Sequence, residues 1–171
     1  LETYKLSYAS LINSCRDGDV LKHEMAIEAT LCSKLTHEDI SPFGKWDYIS
    51  HQVVASPFKP VDYMDKMDVF GYKYIDGYSI KSKYIIVELK KEDAPIDVIE
   101  QIMKYVDWVA DEYANGDYSM IEAYIVASNF NSEIKQSVKK NCVRNYNKGF
   151  RPTKFCTWNF VKLVKYNAVE N

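Results

Sequence analysis

No stretch of this 171-residue chain approaches the ~20 consecutive apolar residues needed to cross a bilayer as a helix, so a membrane partner is not expected. Clustered cysteines are also missing. Cys15, Cys32, Cys142 and Cys156 are widely spaced, with no Cys-x-x-Cys pair and no nearby histidine partner. Zinc and iron–sulfur sites want clustered ligands, so the four read as reduced, buried thiols of an intracellular, cytoplasmic protein. His23, His37 and His51 have no ligand spacing either and read as surface or structural residues. The opening Leu1-Glu-Thr-Tyr-Lys5 has neither a starter methionine nor a signal-peptide pattern, which reads as a processed chain or a domain excised from a longer protein. Internal repeats, low-complexity tracts and linkers are absent as well. The expectation is one domain over 1–171, with its core at about 20–165.

A hydrophobic fraction of 47%, with 14 tyrosines among many aromatics, argues for a folded core. Net charge is only −2, but it is unevenly spread. Residues 132–165 hold nine lysines and arginines against Glu133 alone, so the rest of the chain is strongly acidic. Such asymmetry suits a phosphate-facing surface beside an acidic metal-binding half, with a merely solvated helix face as the alternative. Lys139, Lys140, Arg144, Lys148 and Arg151 are the candidate nucleic-acid contacts.

Periodicity predicts the order α-β-β-β-α-β-α-β. Val20–Leu35 reads as a helix with Val20, Ile27, Leu31 and Leu35 mainly on one face. After a proline-rich stretch with a short strand near 50–55 come strands near 66–75 and 79–90. Asp76-Gly77 between them is a two-residue hairpin signal. Ala94–Tyr113 reads as a helix with Pro95 in its first turn, an apolar stripe of Ile99, Ile102, Met103, Val106 and Ala110, and a stop at Asn115-Gly116. Met120–Ala127 reads as a buried strand, Ser132–Tyr146 as a basic helix and Lys154–Lys165 as a last strand. The helix between the second hairpin strand and the 120–127 strand looks like a crossover, which makes those strands parallel. The expected class is α/β, a mixed sheet flanked by helices.

The hairpin carries the chemistry. It brings Asp68 at the start of one strand near Glu88 at the end of its partner, and Glu88 and Lys90, two apart, project to one side. Carboxylate oxygens suit a hard divalent cation, and a neighbouring lysine can position or activate water, which is the chemistry for cutting a phosphodiester. Asp65 competes with Asp68, but Asp68 leads directly into Val69-Phe70. Glu133-Ile-Lys135 repeats the Glu-x-Lys spacing in a predicted helix, where i and i+2 diverge. Gln101 and Tyr105, four apart, share a helix face, and so do Glu24 and Glu28.

Asp68 followed by Glu88-Leu89-Lys90 on a hairpin resembles the PD-(D/E)XK nuclease superfamily, and Gln101-x3-Tyr105 resembles the Q-x3-Y helix motif of its RecB-like branch. Within that branch, Val87-Glu-Leu-Lys-Lys91 and Ile99–Val106 look most like archaeal repair endonucleases for branched or mismatched DNA. The resemblance covers roughly 22–130. Met67 stands where the motif has proline, and the cysteine spacing of the cluster-bearing relatives is absent. The resemblance implies a restriction-endonuclease-like fold and a Mg2+-dependent DNA endonuclease of restriction or repair, with Mn2+ able to substitute. It implies Asp68, Glu88, the Leu89 carbonyl and an assisting Glu24 as metal ligands, and Lys90 on the attacking water. Gln101 and Tyr105 are then directed at the site to help hold DNA. Its other implications are a homodimer or a larger recognition protein as partner. The rival class is a non-catalytic nuclease-fold domain that binds nucleic acid or a protein.

Overall fold

The apolar run Tyr84-Ile-Ile-Val87 lies in the central strand of a five-stranded sheet in the computed structural model, which describes residues 13–17, 20–56 and 65–167. In chain order the elements are β1 (Arg16–Asp17), β2 (Val20–Leu21), α1 (Glu24–His37), β3 (Tyr48–Val54), β4 (Lys66–Tyr74) and β5 (Lys81–Leu89). They continue with α2 (Val98–Glu112), β6 (Ile121–Ala127), α3 (Ser132–Asn141), β7 (Arg144–Lys148), β8 (Lys154–Trp158) and β9 (Val161–Lys165). The main sheet runs β3-β4-β5-β6-β9, antiparallel across the first three strands and parallel across the last three. The α2 crossover therefore does make β5 and β6 parallel neighbours, and the fold is the expected mixed α/β sheet flanked by helices.

Alternation along the strands divides the core into two layers. Tyr84 and Ile86 of β5 and Ala123, Ile125 and Ala127 of β6 pack under α2, against Val98, Ile102, Val106 and Val109. Ile85, Val87 and Leu89 face the other way, onto Ala26, Ile27 and Leu35 of α1. A strand buried on both faces has no polar alternation, which is why these segments read as continuous apolar runs. Gly71 lets β3 and β4 approach, since a side chain there would collide with the Tyr48 carbonyl oxygen.

Several expected boundaries move. The first helix starts at Glu24, and Val20–Leu21 pairs with Arg16–Asp17 as a small ribbon. Pro95 sits ahead of α2 in a turn closed by Val98 N–H to Pro95 O at 3.3 Å, so the helix begins at Val98 rather than Ala94. The basic helix ends at Asn141, and Arg144–Lys148 is a strand. Val143, Asn145, Tyr146 and Asn147 are all poor helix formers, and Tyr146 gains more by packing its ring on Tyr118, with centroids 5.5 Å apart. The single strand expected over Lys154–Lys165 is two strands in two sheets. Trp158 is the pivot: its indole N–H donates to Ile121 O at 2.9 Å, after which Val161 pairs with Ala123.

Candidate active site

The register of the β4–β5 hairpin decides which side chains meet. A two-residue loop at Asp76-Gly77 would have set Asp68 opposite Ile85. Instead Tyr78 N–H closes a turn onto Ile75 O at 2.9 Å, Ile75 N–H bonds Ile80 O at 2.8 Å, and the ladder slips between Lys73 and Tyr74. Ser82 caps the slip, its hydroxyl donating to Lys73 O and Tyr74 O at 3.1 and 3.2 Å. The resulting pairing of Val69 with Val87 brings Asp68 beside Glu88. An Asp68 carboxylate oxygen accepts the Leu89 N–H at 2.7 Å, which ties the start of β4 to the end of β5. Lys90 Nζ lies 2.7 Å from Glu88 Oε1, so the two residues do share one side as strand alternation requires.

Glu88 is 1% exposed, and its Oε2 is buried without a hydrogen-bond partner among the described residues. An unpartnered buried oxygen costs about 1–3 kcal/mol, more when it is charged. Burial, and secondarily the charge of Asp68, push the Glu88 carboxyl up to about 7 despite the Lys90 ammonium. Burial also raises Asp68, against the pull of the Leu89 N–H and Lys90. For Lys90, burial works against the charge, but the Glu88 hydrogen bond and the charges of Glu88, Asp68 and Glu24 outweigh it and keep the ammonium above its ordinary pKa. These charges are held at a cost in folding, in a place where an added cation would relieve them.

Helix α1 contributes more than the Glu24 singled out by sequence. Glu24 itself is exposed and accepts the Lys91 N–H at 3.1 Å, so it reaches the end of β5. Glu28, whose spacing reads equally well as a surface charge, is only 8% exposed. One of its oxygens meets His51 Nδ1 at 2.7 Å and the other accepts Gln52 Nε2 at 3.0 Å. The same Gln52 amide reaches Asp68 Oδ1 at 3.2 Å, so one side chain bridges two carboxylates. Gln52 sits at φ 52°, left-handed backbone inside a strand, at the point where β3 skips its pairing with Asp68. Such a conformation costs on the order of 1–3 kcal/mol and is typical of residues aimed for a purpose. Glu28, His51 and Gln52 carried no sequence signal that separated them from surface residues.

Gln101 and Tyr105 meet each other rather than the carboxylates. Gln101 Nε2 donates to the Tyr105 hydroxyl at 3.0 Å, and that hydroxyl donates to Lys66 O at 2.8 Å. The pair thereby pins the first residue of β4, two positions ahead of Asp68. Burial, mainly, pushes the Tyr105 phenol up to about 12. Asp65, the rival acid, lines an open cleft of about 250 Å3 with Gln101, Lys104 and Tyr105.

The basic candidates lie elsewhere. Arg144 forms two bonds of 2.7 Å to the carboxylate of Asp107, and Lys148 lies 3.0 Å from Asp117. Lys139 and Lys140 are exposed on α3 and Arg151 at the tip of the β7–β8 ribbon. The ribbon is anchored at Ile121 whereas Glu88 pairs with Ile125, so roughly 13 Å of sheet separates them at ~3.3 Å per residue. The structure does not bring these cations to the carboxylates.

Oxygen donors from two carboxylates, with one buried oxygen unpartnered, fit a small hard cation that keeps most of its waters. Among the described residues no group of three or more His, Cys, Asp and Glu side chains is gathered tightly enough to hold an ion without such help.

No protein-family model and no curated protein matches the chain. Among solved structures, the fold is similar to EndoMS in its apo form, with a TM-score of 0.50 and 17% identity over 84% of this chain and 46% of that one. EndoMS in complex with dsDNA is similar at a TM-score of 0.47 and 18% identity, covering 91% of this chain and 50% of that one. A repair endonuclease from Pyrococcus abyssi is similar at 0.47 and 19%, covering 90% and 50%. At such identities the likeness is one of fold, and the chain spans about half the length of these structures. No helix among the described residues is long and apolar enough to cross a membrane.

Proposed function

We propose that this chain is the nuclease domain of a Mg2+-dependent DNA endonuclease of the PD-(D/E)XK type, acting in restriction or repair. The observation that carries the reading is the buried Glu88, with an unpartnered Oε2 and a pKa pushed up to about 7, between Asp68 and Lys90. A structural salt bridge at a strand end needs neither an orphan oxygen nor a second carboxylate beside it. The fold's likeness to EndoMS in its apo form agrees with this reading.

Asp68, Glu88 and the Leu89 carbonyl would hold Mg2+, with Glu24 assisting, and Mn2+ would substitute. Bound there, the ion supplies an acidified water and neutralises phosphate charge. Lys90, kept cationic by its carboxylate neighbours, orients the attacking water and stabilises charge developing on the phosphate. Its raised pKa favours this electrostatic role over proton abstraction. Glu28 and Gln52 fix the Asp68 carboxylate through the bridging amide, while Gln101 and Tyr105 hold the strand start that carries it.

The test is incubation of the protein with supercoiled, single-stranded, branched and mismatched DNA in Mg2+, Mn2+ or chelator. Cleavage that needs the divalent ion and disappears in Glu88→Ala is expected. Cleavage that persists in chelator, or in a folded Glu88→Ala protein, overturns the assignment.

A further inference from the structure

The β7–β8 ribbon stands out chemically from the rest of the molecule. No acidic residue occurs between Glu133 and Glu170, so the whole ribbon carries charge of one sign. Its register sets Lys148 directly opposite Lys154, and like charges facing each other across an antiparallel pair are destabilising. Lys148 is drawn aside to Asp117 and to the Ser119 hydroxyl, at 3.0 and 2.5 Å, which leaves Lys154 and Arg151 exposed at the tip.

Alternation separates the ribbon's two faces. Arg144, Tyr146 and Trp158 point inward, onto Asp107, Tyr118 and Ile121. Asn145, Asn147, Phe155 and Thr157 occupy the paired positions of the other face, and all four are exposed. Phe155 is 72% exposed, and Phe150 at the tip is 83% exposed with the Arg151 guanidinium 5.0 Å from its ring centre. Arg151 also adopts φ 51°, a left-handed conformation that a bulky residue rarely takes. Two large rings in water beside cations without an acidic partner among the described residues, and beside side-chain amides, make a surface unlike the rest of the domain.

We propose that this ribbon is a DNA-reading element that enters the major groove of duplex DNA. Asn145, Asn147 and Thr157 meet base edges, Phe155 meets a thymine methyl, and Arg151 and Lys154 meet the flanking phosphates. Five residues per strand span about 17 Å, and a two-stranded ribbon fits a groove about 12 Å wide. Amides and hydroxyls are the groups that match the donor and acceptor pattern of that groove, and the absence of acids suits a polyanion better than a protein surface. The ribbon packs on the α2 side of the sheet, where Tyr146 and Trp158 join the core layer that holds Ile86. The proposal rests on the DNA part of the function proposed above, not on cleavage.

Binding of a labelled duplex, enriched by the parent protein from a random-sequence pool, is followed by fluorescence anisotropy in chelator, so that the carboxylate site plays no part. Asn147→Ala with Phe155→Ala should weaken binding about tenfold with the salt slope kept. Arg151→Ala with Lys154→Ala should lower that slope by about two. Methyl green, which occupies the major groove, should displace the parent, and netropsin, a minor-groove ligand, should not. All four positions are exposed, and Lys154→Glu alone provides a second charge variant should a double one melt early. Parental affinity and slope in the folded variants, displacement by netropsin alone, or equal losses on single strands would overturn the ribbon proposal and leave the nuclease reading standing. A parent that binds no DNA would overturn both.

Discussion

The end of β5 and the separate β7–β8 ribbon handle charge in opposite ways. At the end of β5, Asp68, Glu88 and Glu28 are buried or half-buried, with Gln52 tying Glu28 to Asp68 and one ammonium on Glu88. On the ribbon, the cations of β7 and β8 sit on the surface, and those with partners find them singly, Arg144 on Asp107 and Lys148 on Asp117. Surface ion pairs are worth little and say little about purpose. Buried like charges cost folding energy and persist where something else is gained. A net charge of −2 conceals both arrangements.

The sharpest way to break the contrast is to remove an acid. Asp68→Ala and Glu88→Ala should each reduce cleavage to background and remove calorimetric Mn2+ binding, while duplex affinity in chelator stays within a few-fold of the parent. Unchanged Mn2+ affinity in both variants would remove the metal assignment. Lys90→Ala comes next. It should cut about 10²- to 10³-fold more slowly in single-turnover assays, with DNA and Mn2+ binding nearly normal, because in the proposed mechanism the ammonium acts chiefly on the transition state. A clean Lys90→Ala preparation that cuts at the parental rate would defeat the mechanism.

A third effect concerns stability. Folded Glu88 keeps its proton up to about 7, against an ordinary value of 4.5 in the unfolded chain. Below 4.5 both states are protonated, and the group imposes no penalty. The penalty grows as pH rises through this window and is complete above about 7. It amounts to a few kcal/mol at most, at ~1.36 kcal/mol per pKa unit. Glu88→Gln should therefore melt increasingly above the parent as pH rises from 4.5 to 7 in chelator. A Tm difference that is flat with pH would mean that Glu88 is ionised at little cost.

The smallest effect belongs to the ribbon. Arg144 is held by Asp107 in a half-exposed pair, so Arg144→Ala should cost about 1 kcal/mol or less in stability and leave the salt slope of DNA binding nearly unchanged. A slope lowered by a full unit would place Arg144 on a phosphate instead.

Local rules made much of this legible. Strand alternation puts Glu88 and Lys90 on one side, and the 3.6-residue stripe of Ile99, Ile102, Met103, Val106 and Ala110 does face the core. The run 121–127 is apolar because its two faces pack into the two core layers, Ile121, Ala123, Ile125 and Ala127 on one side and Tyr124 and Val126 on the other. Sequence by itself thus determined the mixed sheet, the acidic hairpin and the crossover, each set by residues adjacent in the chain or one turn apart. Tertiary structure decided the rest. The pairing of Asp68 with Glu88 depends on a slip at Lys73–Tyr74 that the Asp76-Gly77 signal does not encode. Whether Glu24 or Glu28 joined Asp68 hung on Gln52, a residue of another element in a strained conformation. The strand at Arg144–Lys148 prevailed over a helix because Tyr146 and Trp158 found partners near the start of β6. Hydrogen bonds and ring contacts between residues distant in sequence leave no periodic trace, so only the folded chain could reveal them.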